Sequence, residues 1–325
     1  VGQTALYLGK KYNIPVAYTY HTRYEEYLHH FKLYEAMASS EYPVSRIARY
    51  GKEILVPALI TAFSNQCDLV FAPTSTMKDH LLEQGTKTRI SVLPTGLDRV
   101  SFQYDEMLSS EIRNMYGNGC PYLFATTARL EKEKNLDFLF RGTARLRDIL
   151  GQDFRLMVIG DGTERRHLEE LARMLGISRQ IVFTGKIENT RVRHYLNAAD
   201  AFLFASKSET QGIVLLEAMA AGCPVAAVRA SGVVDVVRQG INGYMIEEAP
   251  EAFAAAAARL VLERGVWSGM SEEARKTAEL YESGRIAALA AEQYGLMTGQ
   301  KEDAGYEEHG KGMLVPSILR LFKAA

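Results

Sequence analysis

The chain has 325 residues, 47% of them hydrophobic, and a formal net charge of −1. That length accommodates two buried cores, and the balanced charge gives no global case for nucleic acid as a partner. Three scattered cysteines, Cys67, Cys120 and Cys223, lack metal-ligand spacing, and no apolar run approaches the eighteen or more residues of a membrane span. Free thiols and no membrane span predict a cytoplasmic protein. Residues 1–100 carry eleven Lys/Arg against nine Asp/Glu, an excess whose sign suits peripheral contact with the inner face of the cell membrane.

Val1–Tyr12 reads as an amphipathic helix with no strand before it, which predicts a first domain truncated at its amino terminus. Ile14–Tyr20 follows as a strand. Arg23–Ala38 reads as a helix with an aromatic stripe at Tyr24, Tyr27, Phe31 and Tyr34. Ser45–Gln66 reads as a long helix that Pro57, lacking an N–H, should kink or break. Asp68–Ala72 predicts a short strand, Ser75–Glu83 a helix and Ile90–Leu93 a strand. The polar, weakly patterned stretch Arg99–Gly119 reads as a linker, so residues 1–105 form one predicted domain.

A second alternating series occupies residues 106–298. Its predicted strands are Tyr122–Thr127, Arg155–Ile159, Gln180–Phe183, Ala201–Phe204, Val225–Val228 and Gly243–Ile246. Helical patterns over Asn135–Leu150, Glu164–Leu175, Arg191–Ala198 and Gln211–Ala221 separate them. Further helices are predicted at Glu251–Glu263, Ser271–Leu280 and Gly284–Met297. Short apolar strands alternating with helices call for parallel sheets covered on both faces, an α/β fold. Residues 299–325 are expected to form a partly disordered tail.

The chemistry concentrates after the predicted strand Ala201–Phe204, in Ser206-Lys-Ser-Glu-Thr-Gln-Gly-Ile-Val-Leu-Leu-Glu217-Ala-Met-Ala-Ala-Gly-Cys-Pro224. A helix opening at Gly212 presents unpaired N–H groups and a positive dipole end to whatever lies before it. Glycine there lets an anion approach the backbone closely. Glu217 falls about 7.5 Å further along the helix axis, roughly the reach from a pyrophosphate to a ribose. Glu209, on the loop, faces the far end of such a ligand. A strand–loop–helix with two acids also occurs in many α/β domains with no ligand at all.

Arg129-Leu-Glu-Lys-Glu-Lys134 follows another predicted strand, and two cations five apart can clamp a diphosphate. Alone, the stretch reads equally as a solvated mixed-charge loop. His21 ends a strand, where a lone histidine more often packs than reacts. Gly160-Asp-Gly162-Thr-Glu-Arg165 tempts a dinucleotide reading, but Arg165 stands where a third glycine should be. The pair is read instead as a tight turn lining a cleft.

The spaced glutamates with the Glu-Ala-Met-Ala-Ala-Gly-x-Pro ending resemble the donor-site motif of the retaining glycosyltransferases of family four. The resemblance implies the glycosyltransferase B architecture, two Rossmann-like parallel-sheet domains facing a cleft, with the donor on the second. It implies that Arg129 and Lys134 hold the donor diphosphate. His21 would lie beside the transferred sugar, and Glu209 would hold sugar hydroxyls with Thr210 and Gln211 beside it. Gly212, Ile213 and Val214 would offer backbone amides to the diphosphate, Glu217 would take the ribose, and Ile187 would meet the base through its backbone. No metal and no resident cofactor are implied.

Arg23-Tyr-Glu-Glu-Tyr-Leu-His-His-Phe31-Lys-Leu-Tyr34 and Glu209-Thr-Gln-Gly212 look most like the bacterial 1,2-diacylglycerol 3-glucosyltransferases. That likeness implies UDP-glucose as donor and a membrane lipid such as diacylglycerol, at an anionic surface, as acceptor. Arg46, Arg49 and Lys52 lie nearby in sequence. The alternatives are a soluble sugar or polyol acceptor, or a nucleotide-sugar-binding fragment without catalysis.

Overall fold

The computed structural model describes residues 2–23 and 49–299. They fall into two compact units. One contains the described residues up to Pro94 together with those from Ile286 onward; the other is Thr95–Arg285.

The first unit contains α1 (Gly2–Tyr12), β1 (Ala17–Thr19), α2 (Val56–Ser64), β2 (Leu69–Ala72), α3 (Ser75–Glu83) and β3 (Ile90–Val92). Its strands are parallel, in the order β1-β2-β3. β2 is buried throughout, and Val70 and Ala72 join Tyr20, Ile60, Met77, Leu81 and Ile90 in one apolar core. Thr74 starts α3 by accepting from the Met77 N–H. Pro57 acts as its missing donor requires. A π-type turn over Gly51–Leu55 carries the chain into it, with the Val56 N–H reaching back to the Gly51 carbonyl, and α2 restarts with the proline in its first turn. The predicted helix beyond Arg23, its aromatic stripe, Arg46 and the tail beyond 299 lie outside the described residues.

The second unit contains α4 (Glu106–Gly117), β4 (Tyr122–Thr127), α5 (Leu136–Leu150), β5 (Phe154–Ile159), α6 (Arg165–Met174), β6 (Ile181–Gly185), α7 (Asn189–Asn197) and β7 (Ala201–Phe204). It continues with α8 (Ile213–Ala220), β8 (Val225–Val228), α9 (Ser231–Val234), β9 (Gly243–Ile246), α10 (Pro250–Leu262) and α11 (Arg264–Glu279). Six parallel strands form one sheet in the order β6-β5-β4-β7-β8-β9. The order reverses direction between β4 and β7, which pair through Phe124↔Ala201 and Ala125↔Phe202.

Alternation along the strands divides the core between the two faces. Phe124, Leu156 and Leu203 pack on one side with Leu139, Leu146, Phe253 and Leu260 of α5 and α10. Leu123, Ala125 and Phe202 pack on the other with Leu215, Leu216 and Met219 of α8 and Ala274 of α11. Each such large side chain, fully buried, contributes about 1.5–3 kcal/mol. Covering both faces is what the near-continuous apolar strands demand.

Two expectations are corrected here. Within the stretch read as a linker, Glu106–Gly117 is a helix, capped by Asp105 accepting from the Leu108 N–H. Most of its polar residues face solvent, while Ser109 and Ile112 are buried and Leu108 and Tyr116, four positions to either side of Ile112, pack on the core. The boundaries at 105 and 298 also differ from the observed units, which divide after Pro94. The last described helix, α12 (Ser283–Thr298), begins in the second unit and continues in the first. Physical contacts account for this. Leu97 is paired with the start of α12, its N–H donating to the Tyr281 carbonyl at 2.7 Å and its carbonyl accepting from the Ser283 N–H at 2.8 Å. Further along α12, Gln293 accepts from Arg89 at 2.7 Å and Tyr294 meets the Phe71 ring edge-on.

Candidate functional site

Open parallel sheets bind ligands beyond the carboxyl ends of their strands where the strand order reverses. Here that place lies between β4 and β7, and the loops leaving these two strands carry the predicted cations and the predicted glutamate. Lys134 sits in a single 3₁₀ turn after β4, and its ammonium donates to the Glu209 carboxylate, on the loop after β7, at 2.5 Å. The two side chains are only 15% and 20% exposed, so solvent screens the pair weakly. Arg129 is more open, 63% exposed, with its guanidinium 3.5 Å from Glu133. Both cations thus have a carboxylate beside them.

Gly212 precedes α8 in the left-handed region, at φ 70°. Packing of the chain itself requires glycine here. A Cβ there would lie 2.9 Å from the Gly232 carbonyl and from Leu215 Cδ1, so the close approach is made by neighbouring protein. The N–H groups of Ile213 and Val214 find no acceptor among the described residues and open toward the loop, as a first helical turn leaves them. Glu217 lies further along α8. Its carboxylate is partly buried without a hydrogen bond to any described residue, and desolvation raises its pKa above the ordinary range.

Gln211 lies on the loop immediately before Gly212. It is 3% exposed, and its carboxamide is engaged by the backbone of Thr95. Thr210 is partly buried next to it. Ile187 follows β6, partly buried and packed on the core near Val192. β6 lies two strands from β4, about 10 Å at the usual spacing, a distance suited to a base whose diphosphate sits at β4. His21 belongs to the first unit, past the carboxyl end of β1, and desolvation lowers its pKa.

Several supports carry no signal of their own in the sequence. Ser231 Oγ and the Gly232 N–H donate to the Glu209 carbonyl at 2.8 and 3.0 Å, fixing the turn that bears the carboxylate. Gly160 and Gly162, read above as a turn lining a cleft, let the loop after β5 press on the segment around Arg129. Cβ atoms there would fall 2.0 Å from the Ala128 carbonyl and 2.4 Å from that of Leu130. Thr127, at the end of β4, holds a buried hydroxyl with no partner among the described residues. Its place in the strand alternation puts it on the face that packs against α8.

Two cations, a helix amino terminus and spaced carboxylates thus lie at the reversal of a parallel sheet. Comparison with known proteins identifies the family. A family described as glycosyl transferases group 1 matches residues 111–278, and one described as glycosyltransferase family 4 matches residues 2–100. The chain belongs to the group 1 glycosyltransferases. It is 31% identical over 70% of its length to the alpha-monoglucosyldiacylglycerol synthase of Streptococcus pneumoniae, covering 49% of that protein. It is 26% identical over 77% of its length to the synthase of the same name from Acholeplasma laidlawii, covering 62% of it. The chain therefore spans about half to three fifths of these relatives. Among solved structures, Anabaena Alr3699/HepE in complex with UDP and glucose superposes with a TM-score of 0.74 at 18% identity, over 91% of this chain and 75% of that one. The shared fold is the glycosyltransferase B fold.

Proposed function

We propose that the protein is a retaining hexosyltransferase that moves glucose from UDP-glucose to a diacylglycerol at an anionic, cytoplasm-facing membrane surface. The observation that carries the donor half is the Lys134–Glu209 pair at the β4–β7 reversal, in front of the open turn of α8. In this reading Arg129, Lys134 and the Ile213 and Val214 amides hold the diphosphate and stabilise the charge on the departing UDP. Glu209 takes hydroxyls of the sugar, Glu217 those of the ribose, and the backbone at Ile187 meets the base.

Retention follows from a front-side displacement. The bond from the anomeric carbon to the β-phosphate oxygen breaks, and the acceptor oxygen bonds to the same face. The acceptor proton passes to the phosphate oxygen that leaves. Charge on UDP is met by the protein's own cations and amides, and the reading calls for no resident cofactor or metal.

The lipid acceptor is supported by the names of the two synthases above. It is supported too by a described stretch in which Tyr50, Ile54 and Leu55 are exposed close to Arg49 and Lys52. Apolar side chains among cations suit an anionic interface. No described helix is long and apolar enough to cross a membrane.

The test is transfer from labelled UDP-glucose, with diacylglycerol in anionic vesicles offered beside soluble sugars. It should use this chain and its Glu209→Ala variant. Label entering lipid, and lost on Glu209→Ala, supports the proposal. Label entering only soluble products overturns the acceptor, and failure to bind UDP overturns the donor site.

A further inference from the structure

Gln211 stands between Glu209, whose carboxylate meets Lys134, and Gly212, which opens α8. Its carboxamide nevertheless serves a residue far away in sequence. The Thr95 N–H donates to Gln211 Oε1 at 2.7 Å, and Gln211 Nε2 donates to the Thr95 carbonyl at 2.9 Å. This reciprocal pair matches one donor and one acceptor on each side, as in a sheet ladder. Thr95 is itself anchored nearby, because Leu97, two residues on, is bound on both sides by Tyr281 and Ser283. At the other end of the same turn, the Glu209 carbonyl is held by Ser231 and Gly232.

We infer that Gln211 is a positioning residue for the transfer proposed above. It clamps the turn Glu209–Gly212 to the Thr95 backbone and so aims the Glu209 carboxylate, without touching the donor. The inference rests on that functional reading. Its physical basis is that catalytic groups act only within narrow geometric limits, and a displacement of about 1 Å can lower a rate by about 10²-fold. Few side chains can replace the clamp. Asparagine is one carbon shorter, methionine neither donates nor accepts strongly, and ionised glutamate accepts from the Thr95 N–H but cannot donate to its carbonyl.

The experiment compares wild type, Gln211→Met and Gln211→Glu. It measures transfer from UDP-glucose over a range of pH, and UDP affinity by calorimetry. Gln211→Met is expected to lower kcat by about 10- to 100-fold, with UDP affinity within about three-fold of wild type, since the diphosphate cations are untouched. Gln211→Glu is expected to show the same deficit at alkaline pH. Its rate relative to wild type should recover several-fold as pH falls, because a neutral carboxyl group both donates and accepts. A methionine variant with wild-type kcat overturns the inference, as does one whose KM for UDP-glucose rises at constant kcat, the mark of direct donor contact. Should Gln211→Met fail to fold, a flat pH ratio for Gln211→Glu overturns it alone. A wild type that neither binds UDP nor transfers sugar overturns the functional reading and this role together. Active wild type with indifferent variants overturns the role only.

Discussion

The Lys134 ammonium and the Glu209 carboxylate meet at 2.5 Å although 75 positions separate them in the chain. They leave adjacent strands, β4 and β7, on the two sides of the point where the sheet reverses its order. In the function proposed above, a bound donor brings negative phosphate to Lys134 and hydroxyl donors to Glu209, and the pair is shared with ligand.

Replacing either partner should therefore reduce transfer sharply. Glu209→Gln and Lys134→Met are each expected to lower kcat/KM by about 10²–10³-fold, the usual effect of removing one preorganised electrostatic group. Because the two touch, the double variant should lose less than the product of the single losses. Steady-state kinetics of the four proteins check this, and strict multiplicativity would contradict it.

Glu217 links ligand affinity to stability through pH. Burial raises its pKa in the folded protein, so the native state favours the neutral carboxyl. The stability it contributes is fully present below the unfolded pKa and is lost as pH rises through the folded one. Glu217→Gln should thus raise the melting temperature at pH 7 and leave it unchanged in strong acid. UDP affinity should fall about 10- to 100-fold at pH 7, the equivalent of one charge-assisted hydrogen bond. Thermal scans at both pH values and UDP titration at pH 7 test the two halves separately.

The Glu209 turn is expected to respond to substitutions on α9. Ser231→Ala removes a 2.8 Å hydrogen bond to the Glu209 carbonyl and should lower kcat/KM by about 3- to 10-fold. Gly232→Ala would place a Cβ 2.9 Å from both the Glu209 carbonyl and the Gly212 nitrogen, forcing backbone apart. Its loss of transfer should exceed that of Ser231→Ala, and equal effects would show that the turn tolerates displacement.

His21 gives a second pH signature, in the first unit. Desolvation lowers its pKa from the ordinary 6.5, so the ring is neutral at pH 7. Its contribution to stability is present above the unfolded pKa and is lost as pH falls through the lowered folded value. A proton titration followed by NMR should give a midpoint below 6.5, and His21→Asn should flatten the stability curve in that window. A midpoint at or above 6.5 would contradict this.

The elements around Glu209 were legible because they are consecutive. The run from β7 through Glu209 to α8 changes from strand to loop to helix within twenty residues, and each step leaves a local mark: an apolar run, a polar loop, a glycine and an alanine-rich helix. Helix α4 escaped because its core contacts rest on a thin stripe, Leu108, Ile112 and Tyr116, within an otherwise polar stretch. Gln211 was placed beside the sugar by its neighbours in sequence, whereas its partner Thr95 lies 116 positions away.

The sequence by itself determined the alternation of strands and helices, the parallel character of the sheets and the chemical types gathered at the carboxyl ends of β4 and β7. These are local properties, governed by periodicity, propensity and the polar demands of helix ends. Tertiary structure alone decided which residues meet: Lys134 with Glu209, Gln211 with Thr95, Gly232 with the Glu209 turn, and α12 with Phe71. The physical reason is that such contacts depend on strand order and backbone approach between segments distant in the chain, and no local pattern of residues carries either.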